Sequence, residues 1–136
     1  MKDRAFFDTN VLIYLFSEDE PEKNLKCISA LRKYTCITST QAINELCNVF
    51  TKKWRLPVKD IRFAIKQIEA VCDIQFVDLD VVDYALEIKG KYKYSYYDCL
   101  MLSSVILSGC DYILSEDMHS GQKIDNIEIV NIFQEQ

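Results

Sequence analysis

Glycine and proline are scarce, three of one and two of the other in 136 residues. That excludes a flexible linker. With no repeat or low-complexity tract either, residues 1–136 read as a single domain. Histidine is scarcer still: His119 stands alone. None of the six cysteines (Cys27, Cys36, Cys47, Cys72, Cys99, Cys110) is spaced as C-x-x-C. This argues against a zinc site and gives little support to a Cys–His nucleophile pair. No apolar run approaches the roughly 20 residues a membrane span needs. The opening Met1-Lys2-Asp3-Arg4 leads straight to an acid at position 8, so no signal peptide is expected and the protein reads as soluble and cytoplasmic. The cysteines, mostly among apolar neighbours, are then expected to be reduced core residues. A basic excess is missing too. Sixteen Lys and Arg stand against 21 Asp and Glu, for a net charge of −5, which by charge alone speaks against a nucleic-acid binder. If four of the acids hold a metal ion, the remainder nearly balances, and local basic segments are free to meet phosphate.

What is present is a regular alternation of short apolar runs and longer amphipathic ones. Ala5 to Asp8 reads as a strand and Val11 to Phe16 as a helical turn. Glu22 to Lys33 reads as a helix, with Pro21 suited to its start. Thr35 to Ser39 is a β-branched strand, and Ser39 or Thr40 can cap a helix running to about Lys53. Pro57 opens a helix in which Val58, Ile61, Ala64, Ile65, Ile68 and Cys72 keep helical spacing. Ile74 to Leu79 reads as a strand, and Asp80 as the cap of a helix that Gly90 ends. Tyr97 to Ser108 is a helix closed by Gly109, and Tyr112 to Ser115 and Ile127 to Asn131 are the last strands. Strands separated by helices imply crossovers and a mostly parallel sheet. The expected fold class is α/β, a three-layer α/β/α arrangement around about five strands.

Sheets of this kind bind ligands at the carboxyl ends of their strands. Asp8 ends the first strand, at a junction where it could instead serve as a helix cap, although Asn10 could fill that role equally well. Asp98 opens a helix apolar nearly all round, which predicts burial and hence a need for a partner such as a metal. Glu45 points away from the apolar stripe of Ile43, Leu46, Cys47 and Phe50, as either a solvated glutamate or one facing a cleft would. Asp117 and Glu116 follow the strand ending at Ser115, and either could reach its end. Oxygen-only donors point to a hard cation, Mg²⁺ or Mn²⁺. Such an ion suits phosphoryl chemistry by an activated water, with no side-chain nucleophile.

The string Phe7-Asp8-Thr9-Asn10-Val11-Leu12-Ile13 resembles the opening motif of PIN-domain nucleases. Asn44-Glu45 after Thr38-Ser39-Thr40-Gln41 is similar to the second acidic position, and Tyr96-Tyr97-Asp98 before an apolar helix to the third. Leu114-Ser115-Glu116-Asp117-Met118, then Gly121-Gln122 and Ile127 to Asn131, resembles the fourth and the closing strand. Each motif alone is weak; the ordered set spans nearly the whole chain. Length and closing segment look most like the VapC-type toxins of toxin–antitoxin pairs. The resemblance implies a PIN-like fold and a Mg²⁺-dependent endoribonuclease that cuts with water to leave a 5′-phosphate and a 3′-hydroxyl. It also implies a homodimer and an antitoxin whose tail covers the acidic pocket. Carried over, Asp8, Glu45, Asp98 and Asp117 are the acidic set, Asp8 and Asp98 the direct ligands, and Thr9, Asn10 and Ser115 the residues orienting ligands or water. The acidic overall charge and the six cysteines depart from the pattern and bear on the RNA-binding surface.

Two further readings attach to segments beside the acids. Lys89, Lys91 and Lys93 alternate with tyrosines and lead through Tyr96 into Asp98, so they could hold phosphates while the rings stack bases; the alternative is a solvated helix end. An antitoxin's apolar stretch could dock on Leu12, Leu15 and Phe16, which could equally be core or homodimer interface. Other functions fit less well. A dehalogenase-like phosphatase needs a second Asp two residues after the first, where Asn10 stands. A PIN nuclease outside the toxin group, or a non-catalytic acidic pocket, would share these acids.

Overall fold

Ala5, Phe6 and Phe7 are all fully buried. Successive strand side chains face opposite ways, so Ala5 and Phe7 enter one apolar cluster and Phe6 the other. Their strand, β1 (Arg4–Phe7), is therefore covered on both faces, as central strands of a parallel sheet are. The computed structural model describes residues 2–118 and 121–134; His119 lies outside them. After β1 come α1 (Thr9–Tyr14), α2 (Pro21–Lys33), β2 (Thr35–Ser39), α3 (Thr40–Lys52), α4 (Val58–Val71), β3 (Cys72–Gln75), α5 (Leu79–Lys91), α6 (Tyr96–Leu107), β4 (Tyr112–Leu114), β5 (Lys123–Ile124) and β6 (Ile127–Val130).

The strand order is β3-β2-β1-β4-β6-β5. Every pairing is parallel except that of β5 with β6. Helices α1 to α4 pack on one face of the sheet, and α5 and α6 on the other. This is the expected three-layer α/β/α arrangement, with six strands among the described residues. The additional strand, β5, is two residues long and folds back on β6 through Asp125–Asn126, where Asp125 takes φ 54°. Aspartate tolerates that left-handed region better than most residues. The chain runs outward from β1 through β2 to β3, then returns to β4 on the other side. The switch in strand order thus lies between β1 and β4, and Asp8 and Ser115 leave the sheet there.

Three boundaries differ from the sequence expectation. The strand expected at Ile74 to Leu79 is β3, Cys72–Gln75. Phe76 is 70% and Leu79 83% exposed, so the apolar run spans a strand end, a connection and a helix start. Asp78 rather than Asp80 caps α5, its carboxylate accepting from the Val81 N–H at 3.1 Å. Gly90 lies inside that helix, which stops at Tyr92 in extended backbone. Asp78→Ala is expected to cost about 1 kcal/mol of stability, and Asp80→Ala only a few tenths. Urea midpoints of the two variants check this, and equal losses would contradict the assignment.

The cysteine expectation also needs correction. Cys36 and Cys72 form a disulfide. They sit directly opposite each other in the β2–β3 register, with Cα atoms 4.7 Å apart, inside the range a disulfide spans. Such pairing across strands is not visible in spacing along the chain. The other four are free: Cys27, Cys99 and Cys110 are buried and Cys47 half-buried. Burial raises all four thiols above their ordinary value, Cys27 to about 12, so none is a ready nucleophile.

Candidate active site

The carboxyl edge of the sheet receives acids from four different elements. Asp8 follows β1 and caps α1. Its Oδ1 accepts from the Thr9 N–H at 2.7 Å and its Oδ2 from the Ser115 hydroxyl at 3.1 Å. Asp8 therefore takes the capping role that Asn10 could have filled, and still faces the cleft. Asn10 instead donates to Asp117 Oδ2 at 3.1 Å. The Thr9 hydroxyl donates to Glu45 Oε2 at 2.8 Å, joining α1 to α3. The side chains of Thr9, Asn10 and Ser115, the three residues singled out as supporting, thus each donate to one acid, and the Thr9 N–H to a second. On α3, Gln41 and Glu45 are one turn apart, and the Gln41 amide donates to Glu45 Oε1 at 3.2 Å and to the Tyr97 carbonyl at 3.1 Å. That amide ties α3 to the start of α6.

Asp98 corrects an expectation. Most of α6 is buried, from Cys99 to Val105, but Asp98 lies in its first turn and is exposed. Its N–H donates to the capping Ser95 hydroxyl at 3.2 Å. Its carboxylate has no hydrogen-bond donor among the described residues. Position, not burial cost, gives it its claim. Asp8, Glu45, Asp98 and Asp117 all line a single cavity of about 550 Å³, with Thr9, Asn10, Gln41, Asn44, Asn48, Tyr97 and Met101 among its other walls. None of the described lining residues is cationic. Burial first of all pushes the Asp8 carboxyl up from 3.8 to about 6. The charges of Glu45 and Asp117 push the same way, against the hydrogen bonds from Thr9 and Ser115.

The sequence left open which of Glu116 and Asp117 joins this site. Asp117 lines the cavity. Glu116 accepts from the Tyr14 hydroxyl at 2.9 Å and from Lys23. Lys23 also donates to the Tyr14 hydroxyl at 3.1 Å, and the bond to Glu116 is the main reason its pKa lies above the ordinary lysine value. Lys89, Lys91, Lys93 and Tyr96 do not line the cavity. Lys89 clamps the Tyr94 carbonyl at 2.7 Å, Lys91 and Lys93 are exposed, and Tyr96 packs against the core beside α6. Sequence reading missed Tyr97, Asn44 and Asn48 as lining residues. The signal for the two asparagines was present: Gln41, Asn44, Glu45 and Asn48 follow helical spacing on one face. Leu12 is fully buried and Leu15 and Phe16 are packed on the core, so Leu12 offers nothing to a docking partner.

The fold has counterparts among solved structures. A toxin–antitoxin complex from Klebsiella pneumoniae contains a chain with TM-score 0.71 and 20% identity, covering 96% of this chain and 98% of that one. VapC20 of Mycobacterium tuberculosis, a sarcin–ricin loop cleaving toxin, gives TM-score 0.63 and 17% identity over 83% and 91%. VapBC2 from Rickettsia felis, bound to a DNA fragment from its promoter, gives TM-score 0.66 and 14% identity over 92% and 96%. No curated protein matches the sequence. At these identities the structures establish the shared fold alone. The PIN domain family model, in contrast, matches residues 5–122, from β1 through all four acids to the segment before β5. The chain therefore belongs to the PIN domain family.

Proposed function

We propose that this protein is a divalent-metal-dependent endoribonuclease and the toxin of a toxin–antitoxin pair. The observation that carries the reading is the meeting of Asp8, Glu45, Asp98 and Asp117 in one cavity whose described walls hold no cation. Like charges gathered this way repel unless a cation joins them. The donor set is carboxylate oxygen, which fits Mg²⁺ or Mn²⁺. Among the described residues no three Asp, Glu, Cys or His side chains stand close enough together to hold a metal ion by themselves. Mg²⁺ is suited to such an open arrangement, being bound through one or two carboxylates while keeping waters and taking substrate phosphate.

Asp8 and Asp98 would hold the ion. A bound divalent cation supplies polarisation of a phosphodiester and a water acidic enough to attack near neutral pH. The remaining residues position groups. Thr9 and Gln41 fix the Glu45 carboxylate from two sides, Asn10 holds Asp117, and Ser115 holds Asp8. Glu45 and Asp117 can then accept protons or orient water at the cavity wall. The exposed Lys91 and Lys93, close in sequence to Asp98, would contact phosphates. The toxin–antitoxin complexes among the similar solved structures support an antitoxin partner; the homodimer rests on the sequence resemblance to VapC-type toxins. An arginine from that partner would pair bidentately with these carboxylates and exclude metal and phosphate together.

The test uses protein freed of any partner, incubated with whole-cell RNA in Mg²⁺, in Mn²⁺ and in chelator. Internal cuts with 5′-phosphate and 3′-hydroxyl ends, lost in chelator, are expected, with single-stranded DNA left uncut. RNA intact in both metals would overturn the proposal.

A further inference from the structure

Three residues of the cavity wall are neither acidic nor part of the core. Tyr97, beside Asp98, lines it with 66% of its surface exposed. Its position is held from two sides. The Gln41 amide binds its carbonyl at 3.1 Å. The Tyr96 ring, packed on the core, meets it edge-on with centroids 5.5 Å apart and planes at 68°. Asn44 and Asn48 stand one turn apart on α3, both exposed, both lining the same cavity. Neither amide makes a hydrogen bond among the described residues. Asparagine is a weak helix former in a helix interior, so neither position is explained by local structure.

We propose that Tyr97, Asn44 and Asn48 form a nucleobase subsite of the active-site cavity. One unpaired base next to the scissile phosphate stacks on the Tyr97 ring and turns its hydrogen-bonding edge to the two amides. The chemistry of each part fits. An exposed aromatic face accepts any base. An amide, donor and acceptor together, reads a base edge. Both lie on walls that carry Glu45 and Asp98, so a base held there places its own phosphate among the carboxylates. The substrate is therefore single-stranded at the cut, in a loop or an unpaired segment, because a base within a duplex cannot reach the ring. Base preference resides in α3, and affinity in Tyr97. This inference rests on the ribonuclease reading, and its test separates the two.

Binding is measured in Mg²⁺ on Asp8→Asn protein, with short single-stranded RNA carrying 2-aminopurine at each position in turn. Stacking should quench the fluorescence at one position. Adding Tyr97→Leu should remove the quench and weaken binding roughly 5- to 100-fold, and Tyr97→Phe should restore both. Asn44→Ala and Asn48→Ala should flatten the affinity differences among A, C, G and U at that position while leaving the quench. On otherwise wild-type protein, Tyr97→Leu should raise KM. An abasic nucleotide at that position bound as tightly as any base, or Tyr97→Leu binding like its parent, overturns the subsite. If Tyr97→Leu leaves binding and KM unmoved while RNA is still cut, the subsite fails alone. If the quench appears but no metal supports cutting, the ribonuclease reading fails and the subsite stands as a binding site.

Discussion

Asp8→Asn protein, free of wild-type contamination, is expected to cut RNA at least about 10²-fold more slowly than wild type at saturating Mg²⁺. Losing a residue that merely orients a metal ligand typically costs about 10- to 100-fold, and Asp8 is argued to be a ligand itself. The substitution keeps the shape and removes the charge. Asparagine is as good a cap as aspartate, so its oxygen can still accept from the Thr9 N–H, and its amide can donate to the Ser115 hydroxyl. The loss is thus chemical and not structural. Circular dichroism should be unchanged, and Asn10→Ala, which frees Asp117 without touching Asp8, should cost less than Asp8→Asn. Cleavage by Asp8→Asn protein within a few fold of wild type would remove Asp8 from the metal site.

The layers were legible in the sequence because period and punctuation agreed. Pro21, Ser39 and Gly109 stand at element boundaries, and Ala5 to Asp8 could be read as a short first strand. The failures came where local signals conflicted with distant partners. Phe76, Val77 and Leu79 look like a strand, but the register of Cys72 against Cys36 starts β3 earlier, and the Val77 N–H is taken by the Thr40 hydroxyl at 3.0 Å. Gly90 could end a helix and does not: α5 continues through it to Lys91, and Tyr92 leaves in extended backbone. At the site, Asp8 was legible as a strand-end residue and Asp98 as a helix-start residue, while Glu45, inside α3, read equally well as a solvated glutamate. What Glu116 does was not legible, since Tyr14 and Lys23, its partners, lie about a hundred residues away. Asp98 was found by an argument about burial that its exposed position does not support. Tyr97 was hidden among tyrosines whose rings divide between core and cavity, a division that only the start of α6 decides.

The raised Asp8 carboxyl also makes metal-free stability depend on pH in an unusual direction. In the unfolded chain this carboxyl titrates near 3.8; in the fold, burial moves it to about 6. The native state therefore holds its proton more tightly than the unfolded state does, and ionising Asp8 opposes folding. The penalty is absent below about 4, grows between about 4 and 6, and is complete above 6. At roughly 1.36 kcal/mol per unit, it amounts to about 3 kcal/mol at neutral pH, or about 10 °C in Tm for a domain of this size. In chelator, the melting temperature should rise as pH is lowered from 7.5 to 5. Asp8→Asn should melt higher than wild type at pH 7.5 and lose most of that dependence. The same substitution that abolishes cleavage should therefore stabilise the metal-free fold. With Mg²⁺ the sign should reverse for wild type, because binding requires the ionised carboxylate and stabilises the native state only while it is ionised. If chelator-treated wild type and Asp8→Asn protein follow the same Tm-against-pH curve, Asp8 is not the half-buried, charge-crowded group from which this dependence arises.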